Sequence, residues 1–139
     1  AQIRKYDDVL LKERERVFDF YNQAFTACSW AQVPSYNVEG STSSFHLYPL
    51  RIKNITESQR DTIIEKITEK GVSVNVHFQP LPLLTVFKQK GYKLEDYPVA
   101  YNNYISEISL PIYPQLNNIQ CSYIVDSVLH AVNEVINNG

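Results

Sequence analysis

The chain has 139 residues, of which 44% are hydrophobic and 20% charged, a composition typical of one globular domain rather than of a disordered segment. No apolar run approaches the roughly 20 residues that a transmembrane helix needs, so we expect a soluble protein with no membrane partner. The formal net charge is −2, and residues 94–139 contain five acidic side chains and no Lys or Arg. Because phosphate backbones are bound mainly by Lys and Arg, this charge distribution argues against a nucleic-acid partner.

The N-terminal segment has apolar residues at helical spacing over residues 3–25, which predicts a long helix. The run KERER, Lys12 to Arg16, interrupts the apolar stripe, and we interpret it as a solvated turn, with an interface role as the alternative. Ile3, Tyr6 and Leu10 precede the interruption and predict a sticky surface, covered by something else or used for pairing of chains. The chain opens on Ala inside this helical pattern, so we expect it to be cut from a longer protein.

The central segment predicts a strand, a helix and a second strand. SFHLYPLRI, residues 44–52, reads as a strand, and because Pro49 has no amide hydrogen we expect an edge strand or a bulge. Thr56 and Gln59 supply the capping box of a helix that stops at Gly71. VSVNVHF, residues 72–78, alternates and predicts the next strand.

The second half of the chain starts with a proline-rich connection. Pro80 and Pro82 predict a stiff, extended loop, after which residues 83–90 and a segment starting near Pro98 predict two short helices. A brief strand is expected within residues 108–116. A final helix follows, capped by Asn117 with Gln120 three residues later. Together the elements predict an α+β fold: a two-layer domain with a small, mainly antiparallel sheet covered by helices and preceded by a long N-terminal helix.

Sequence signatures of catalysis are absent. The four glycines stand far apart and form no phosphate loop, and neither a nucleophile elbow nor a metal-ligand cluster occurs, so no metal site is expected. Cys28 and Cys121 offer at most one disulfide, which is weak evidence for secretion, and we expect a reducing, cytoplasmic location. As a free-standing enzyme the chain is poorly equipped.

The three histidines have different expected roles. His130 in the last helix is interpreted as a solvent or packing residue, and His46 as a half-buried strand residue. His77 lies where a strand gives way to a stiff loop, so ligand contact and a structural hydrogen bond are equally favoured. For the tyrosines near the proline-rich segments, packing is favoured over a sugar or nucleotide site: Tyr92, Tyr97, Tyr101, Tyr104 and Tyr113.

The order of the motifs resembles the C-terminal domain of the DegT/DnrJ/EryC1/StrS family of nucleotide-sugar aminotransferases. The matching segments are SSFHLYPLRI, then KGVSVNVHFQPLPLL, then GYKLEDYPVAYNNYISEISLPIYPQL. The resemblance covers the whole chain as a single domain. Residues 1–28 resemble the helix that links the family's large domain to its small one, and residues 29–139 resemble the small α+β body.

The resemblance implies a pyridoxal-phosphate enzyme of aspartate-aminotransferase fold. Such an enzyme passes an amino group from an amino acid, usually glutamate, to a keto group of a nucleotide-linked sugar, for surface polysaccharide or amino-sugar biosynthesis. The family's cofactor lysine and pyridine-holding residues precede the point where this chain begins, so we expect no cofactor and no turnover in the chain itself. The implied partners are a missing N-terminal large domain, the nucleotide-sugar and a second subunit of a homodimer. Without the lysine position, a dehydratase-like relative stays open.

The family's His-Tyr-x-Pro-Leu-His loop falls on residues 77–82, which read HFQPLP. The resemblance places this loop at the mouth of the active site and makes His77 and Phe78 the candidate substrate-binding residues. Phe78 lacks the phenol hydroxyl of the motif's Tyr, and Pro82 replaces the second His. Two rival hypotheses stand beside this one: a free-standing α+β module that binds a small ligand, and an RNA-binding sheet that stacks bases on Phe45, Tyr48 and Phe78, which the charge opposes.

Overall fold

The computed structural model describes residues 6–36 and 39–137, and within them five α-helices and three β-strands. The helices are α1 (Leu11–Phe25), α2 (Glu57–Glu69), α3 (Thr85–Gln89), α4 (Pro98–Ser106) and α5 (Asn118–Asn137). The strands are β1 (Ala31–Gln32), β2 (Tyr48–Ile52) and β3 (Glu107–Leu110). A π-helical turn, Tyr6–Leu10, precedes α1, and 3-10 turns lie at Leu81–Leu83 and Leu94–Asp96. Ile3 lies outside the described residues.

The three strands form one antiparallel sheet in the order β1-β2-β3. Ala31 pairs with Ile52 between β1 and β2, and Tyr48 pairs with Leu110 between β2 and β3. α2 packs on α5 and contacts β3, while α4 contacts both α2 and β2. The α+β fold with a small antiparallel sheet, helices around it and a long helix before it is therefore confirmed.

The core lies where α1, α2 and α5 meet the sheet. α1 and α5 contribute buried apolar side chains at helical spacing: Val17, Phe18, Tyr21 and Phe25 from α1, and Cys121, Ile124, Val125, Val128 and Val132 from α5. β2 contributes Tyr48, Leu50 and Ile52, every second residue of the strand, each fully buried. The buried faces of the helices, with helical periodicity, and of the strand, with alternating residues, thus pack together in one hydrophobic core.

β2 is the central strand of the sheet, so the prediction of an edge strand from Pro49 is wrong. β1 is only two residues long, and its partners are Ile52 and Arg51. Pro49 lies beyond the end of β1 and pairs only with Ser109 of β3. A proline is tolerated in the central strand because the neighbour on one side is too short to reach it.

The predicted strand at residues 72–78 does not form, which corrects a second expectation. Only Asn75 bridges to β3: Ser109 N donates to Asn75 O at 2.7 Å, and Asn75 N donates to Ser109 O at 3.2 Å. The amide of His77, two residues after Asn75, would be the next to donate to β3 in a continued strand. It donates to the Glu107 carboxylate rather than to a strand carbonyl. A side chain therefore replaces the main-chain partner that a continued ladder would require.

The first predicted strand is also shorter than expected, since β2 begins at Tyr48 rather than at residue 44. Phe45 has a positive φ of 46°, and its amide donates to Ser43 Oγ. This turn breaks the extended chain just before β2. His46, in the same segment, is exposed, so its prediction as a half-buried strand residue is wrong.

The KERER run is not a purely solvated turn, which corrects that interpretation. Arg16 forms an ion pair with Glu13 at 2.8 Å, and its guanidinium also donates to Asn118 Oδ1 and to the Leu116 carbonyl. Arg14 donates to the Phe45 carbonyl at 3.4 Å. These arginines therefore tie α1 to the start of α5 and to the segment before β2.

The predicted sticky surface before this run is partly covered within the chain. Tyr6 Oη donates to the Ser44 carbonyl at 3.1 Å, and Leu10 is half-buried. Val9 between them is 52% exposed. Pairing of chains through this segment stays a prediction.

Both predicted capping boxes are present. Gln59 N donates to Thr56 Oγ1, and Thr56 N donates to Gln59 Oε1 at 2.9 Å. Asn117 and Gln120 make the same reciprocal pair at the start of α5. The sequence locates these helix starts correctly because each cap is a contact between residues three apart.

Replacing Thr56 with Ala is expected to lower the free energy of unfolding by about 1 kcal/mol, because the Gln59 amide loses its partner at the start of α2. Urea unfolding followed by circular dichroism measures the change. Thr68→Ala, an exposed change near the end of the same helix, is the matched control and is expected to be close to neutral. Equal losses in the two variants would contradict a capping role for Thr56.

Candidate functional site

His77 and Phe78 form a corner between the Asn75 bridge and the 3-10 turn Leu81–Leu83. We call residues 77–82 the corner loop. The peptide bond between His77 and Phe78 is cis, and the two rings meet edge to face with their centroids 4.7 Å apart. Phe78 is 74% exposed, so its ring is presented to solvent and is available for a ligand.

The His77 side chain is held against the protein rather than projecting freely. Its Nδ1 is enclosed and has no hydrogen-bond partner among residues 6–36 and 39–137. A ligand in front of the corner loop cannot reach an enclosed nitrogen, which leaves Nε2 for any contact with substrate. The main-chain amide of His77 donates to Glu107 Oε2 at 2.9 Å.

Glu107 is the acceptor beneath the corner loop and is only 4% exposed. Its second oxygen accepts from the hydroxyl of Ser109. Burial raises the pKa of this carboxyl group, while the Ser109 and His77 donors, and the positive charge of Arg60, act in the opposite direction. A buried carboxylate is costly unless donors compensate it, and here each oxygen has one.

Arg60, the nearby positive charge, is itself buried at 2% exposure. Its guanidinium donates to the Tyr104 carbonyl at 2.9 Å and lies 4.9 Å from the centroid of the Tyr104 ring. Asp61 and Glu57 pair with the same guanidinium at 2.6 and 3.6 Å. The group therefore joins α2 to the end of α4, and its positive charge acts on the Glu107 carboxyl group.

A nonpolar cavity of about 350 Å³ lies beside the corner loop. Its lining combines the two loop prolines with aromatic and aliphatic side chains: Pro80, Leu81, Pro82, Phe87, Tyr92, Tyr97 and Ala100. Two of the predicted tyrosines, Tyr92 and Tyr97, thus come together here. Tyr113 instead lines a separate cavity of about 660 Å³ between the start of α5 and residues 71–73.

The other two histidines, His46 and His130, do not contact the corner loop. His130 is exposed on α5, with Nε2 3.4 Å from Glu134 Oε1, as expected of a solvent residue. His46 is exposed before β2. Among residues 6–36 and 39–137, His, Cys, Asp and Glu side chains form no group of three that could hold a metal ion.

Pyridoxal phosphate requires a lysine in a sheltered site, where the amine can lose its proton and bond the cofactor aldehyde. The lysines of the described segments do not fit this requirement. Six are exposed: Lys12, Lys53, Lys70, Lys88, Lys90 and Lys93. Lys66 is half-buried and paired with Glu134 at 2.8 Å, which raises rather than lowers the pKa of its amine.

Sequence reasoning proposed His77 and Phe78 as site residues, which stays a prediction, and did not single out Glu107, Ser109 or Arg60. A signal for Arg60 was present, since it shares the helical spacing of Ile63 and Ile67 on the buried face of α2. Glu107 and Ser109 alternate within a strand that is buried throughout. The contact of Glu107 with the corner loop follows from the pairing of Asn75 with Ser109, which brings the His77 amide to the Glu107 carboxylate and is not visible in the sequence.

The same described residues contain no helix with both the length and the apolar character needed to cross a membrane. RNA stacking on the sheet is also disfavoured, because Tyr48 is fully buried and Phe45 is 9% exposed. Two of the three rings proposed for stacking are core residues.

Comparison with curated proteins shows relatives about three times as long as this chain. A 31% identical relative is the spore coat polysaccharide biosynthesis protein SpsC of Bacillus subtilis, matched over 97% of this chain and 34% of the relative. UDP-4-amino-4,6-dideoxy-N-acetyl-beta-L-altrosamine transaminase of Campylobacter jejuni is 27% identical over 96% of this chain and 35% of its own. The chain thus spans about a third of the length of the curated relatives that it matches.

Solved structures give the same picture. Spr1654 of Streptococcus pneumoniae, named as a candidate sugar aminotransferase, is 32% identical and superposes with a TM-score of 0.92 over 99% of this chain and 34% of its own. PseC of Helicobacter pylori, an aminotransferase involved in the biosynthesis of pseudoaminic acid, is 25% identical with a TM-score of 0.84 over 96% of this chain and 35% of its own. The sequence also matches the DegT/DnrJ/EryC1/StrS aminotransferase profile over residues 1–129. The chain belongs to the DegT/DnrJ/EryC1/StrS aminotransferase family.

Proposed function

We propose that this chain is the C-terminal small domain of a pyridoxal-phosphate-dependent aminotransferase that moves an amino group from an amino acid, glutamate, to a keto group of a nucleotide-linked sugar. Residues 1–28 are the linking segment and residues 29–139 the α+β body. The observation that supports the proposal most strongly is the superposition on the sugar aminotransferase Spr1654, in which 99% of this chain matches 34% of the longer protein. A free-standing binding module is not favoured, because the relatives carry the fold as part of longer sugar aminotransferases.

The names of the relatives support the substrate class. They include a transaminase for a UDP-linked amino sugar, a GDP-perosamine synthase and a protein of spore coat polysaccharide biosynthesis. A nucleotide-sugar substrate for surface polysaccharide or amino-sugar biosynthesis fits all three. The two cysteines are free thiols, which agrees with a cytoplasmic enzyme.

Pyridoxal phosphate belongs to the longer protein in this proposal. Spr1654 has been solved in a PLP-form. When bound, the cofactor supplies an electron sink for the amino-transfer chemistry. Because the described lysines do not fit that cofactor, its lysine is assigned to a large domain that precedes this chain, in an enzyme that works as a homodimer.

The corner loop is proposed as the part of this domain that contacts the nucleotide-sugar. Phe78 offers an exposed ring on which a base or the apolar face of a sugar can pack. His77 offers Nε2 to a hydroxyl or phosphate oxygen, a hydrogen bond of about 0.5–1.5 kcal/mol net. Contacts of this size adjust affinity and orientation, while the amino transfer itself is carried out elsewhere in the enzyme.

Purification of the full-length protein tests the assignment of the whole enzyme. We expect it to bind pyridoxal phosphate through a lysine outside residues 1–139, to form 2-oxoglutarate from glutamate when a keto nucleotide-sugar is added, and to sediment as a dimer. A full-length protein that lacks such a lysine overturns the aminotransferase assignment. Formation of a dehydrated sugar without amino transfer assigns it to the dehydratase-like relatives instead.

Phe78→Ala in the full-length enzyme is expected to raise the KM for the nucleotide-sugar by about 2- to 10-fold with kcat unchanged, because the ring contributes packing and no chemistry. Thermal stability should be unaffected, since the side chain is 74% exposed. Ile119→Ala is the matched control, an 82% exposed apolar side chain on α5, away from the loop. An unchanged KM in the Phe78 variant would remove this residue from the substrate site.

A further inference from the structure

The corner loop leaves the sheet at a specific point. Asn75 makes two main-chain hydrogen bonds to Ser109, and the ladder ends there. Two residues later, where a strand would again pair with its neighbour, the amide of His77 donates to Glu107 Oε2 at 2.9 Å. One side chain of β3 therefore accepts the hydrogen bond that a strand carbonyl would otherwise accept from the His77 amide.

Charged and polar groups from three directions meet at this carboxylate. Ser109 donates from β3, His77 donates from the loop and also carries an imidazole near the carboxylate, and Arg60 supplies a positive charge from α2. On β2, the residue opposite Glu107 in the register is Arg51. The carboxylate is 4% exposed, so water cannot replace a donor that is lost.

We propose that Glu107 is a positioning residue for the substrate-facing corner loop, and that ionisation of this single carboxyl group sets how firmly the main chain of His77 is held. The consequence for substrate rests on the proposed function, in which the loop contacts the nucleotide-sugar. The anchoring itself rests only on the hydrogen bonds of Glu107 with His77 and Ser109.

The anchor is pH-sensitive because of the kind of hydrogen bond that it uses. An ionised carboxylate accepts a stronger hydrogen bond from an amide than a neutral carboxyl group does. Burial raises the pKa of Glu107, which moves protonation toward milder acid. As the pH falls through that pKa, the bond to the His77 amide weakens and the loop is held less firmly.

The proposal is tested by nuclear magnetic resonance of the ¹⁵N-labelled 139-residue chain. The readouts are the chemical shift of the amide proton at position 77 and its protection from hydrogen exchange, each followed against pH. H77Q serves as the common background, because it keeps the main-chain donor and removes the imidazole titration. In this background we expect one titration step in the amide shift, with protection falling on its acidic side.

Three further substitutions in the H77Q background separate the effect of the Glu107 charge from the effect of its hydrogen bond to the amide at position 77. Glu107→Gln keeps an acceptor oxygen, so protection is retained and the pH step disappears. Glu107→Ala removes the acceptor, so protection falls by about tenfold at every pH. Ser109→Ala removes one donor that favours the carboxylate, so the step moves to higher pH.

Two results overturn the proposal: a pH step that persists in Glu107→Gln, or protection that is unchanged in Glu107→Ala. If the Glu107 variants do not fold, Ser109→Ala decides, and an unmoved step in that variant counts against the proposal. No nucleotide-sugar is present in these measurements. Failure of the proposed function, seen as an unchanged KM in Phe78→Ala, is therefore distinct from failure of the anchor.

Discussion

Tyr48→Ala is expected to lower the free energy of unfolding by about 3–5 kcal/mol, the usual loss when a buried aromatic side chain is deleted. Tyr48 is fully buried in the central strand of the sheet. Its ring packs edge to face against Phe18 and Tyr21, with centroids 4.9 and 5.0 Å away. The substitution opens a cavity between α1 and β2, and the rings around it cannot close that cavity without moving the helix. Urea unfolding followed by fluorescence and circular dichroism measures the loss.

Tyr48→Phe is the matched control, because it keeps the ring and removes only the hydroxyl. That hydroxyl donates to Asn22 Oδ1 at 2.9 Å. Burial raises the pKa of the phenol, so the hydroxyl keeps the proton that it donates. The expected loss is about 1 kcal/mol, the net value of one hydrogen bond. If the alanine variant loses no more than the phenylalanine variant, packing of the Tyr48 ring is not what holds α1 on the sheet.

The local features of the fold were predictable because their causes are local. The capping boxes of α2 and α5 each depend on two residues three positions apart. The alternation in β2 reports one buried face, whichever strands lie beside it. Similarly, Pro98 at the start of α4 signals a helix start by its fixed φ.

Apart from the local turn at Phe45 that shortens β2, the errors concern partners that are distant in the chain. Alternation in residues 72–78 indicates an extended segment, but whether it pairs depends on what β3 offers, and β3 offers the Glu107 side chain in place of a carbonyl. Pro49 correctly indicates a missing donor, but the length of β1 decides whether that donor is needed. The charges of KERER indicate solvent, although Arg16 bonds residues about 100 positions away. Patterns in the sequence predict the local conformation of each segment. Which segments pair, and in which register, depends on residues far away in the chain.

The candidate site also has a part that local sequence patterns predict and a part that depends on distant contacts. The prolines after His77 indicate a stiff loop, and the resemblance to a family indicates what such a loop contacts. The carboxylate beneath it carries no motif, since a single Glu within a buried strand has no spacing to recognise. Once the structure shows that this carboxylate is buried, the burial is itself informative, because such a side chain persists only where partners satisfy it.

Arg60→Ala is expected to lower the free energy of unfolding by about 2–4 kcal/mol, which is large for a charged residue. Most charged side chains can be removed from a helix at little cost, but this guanidinium is 2% exposed. Its removal takes away one of the two donors to the Tyr104 carbonyl, the other being the Glu107 amide, and also the cation that lies against the Tyr104 ring. Urea unfolding at neutral pH measures the change.

Two controls separate burial from charge at this position. Lys88→Ala removes an exposed cation from α3 and is expected to change stability by less than about 0.5 kcal/mol. Arg60→Lys keeps the charge but cannot reproduce the planar contacts with Tyr104 and Asp61, so an intermediate loss is expected. Were Arg60→Ala as mild as Lys88→Ala, the guanidinium would not be holding α2 to α4. A loss confined to Arg60→Ala, with Arg60→Lys close to wild type, would show that the positive charge matters more than its shape, because the carboxylates of Asp61, Glu57 and Glu107 all interact with it.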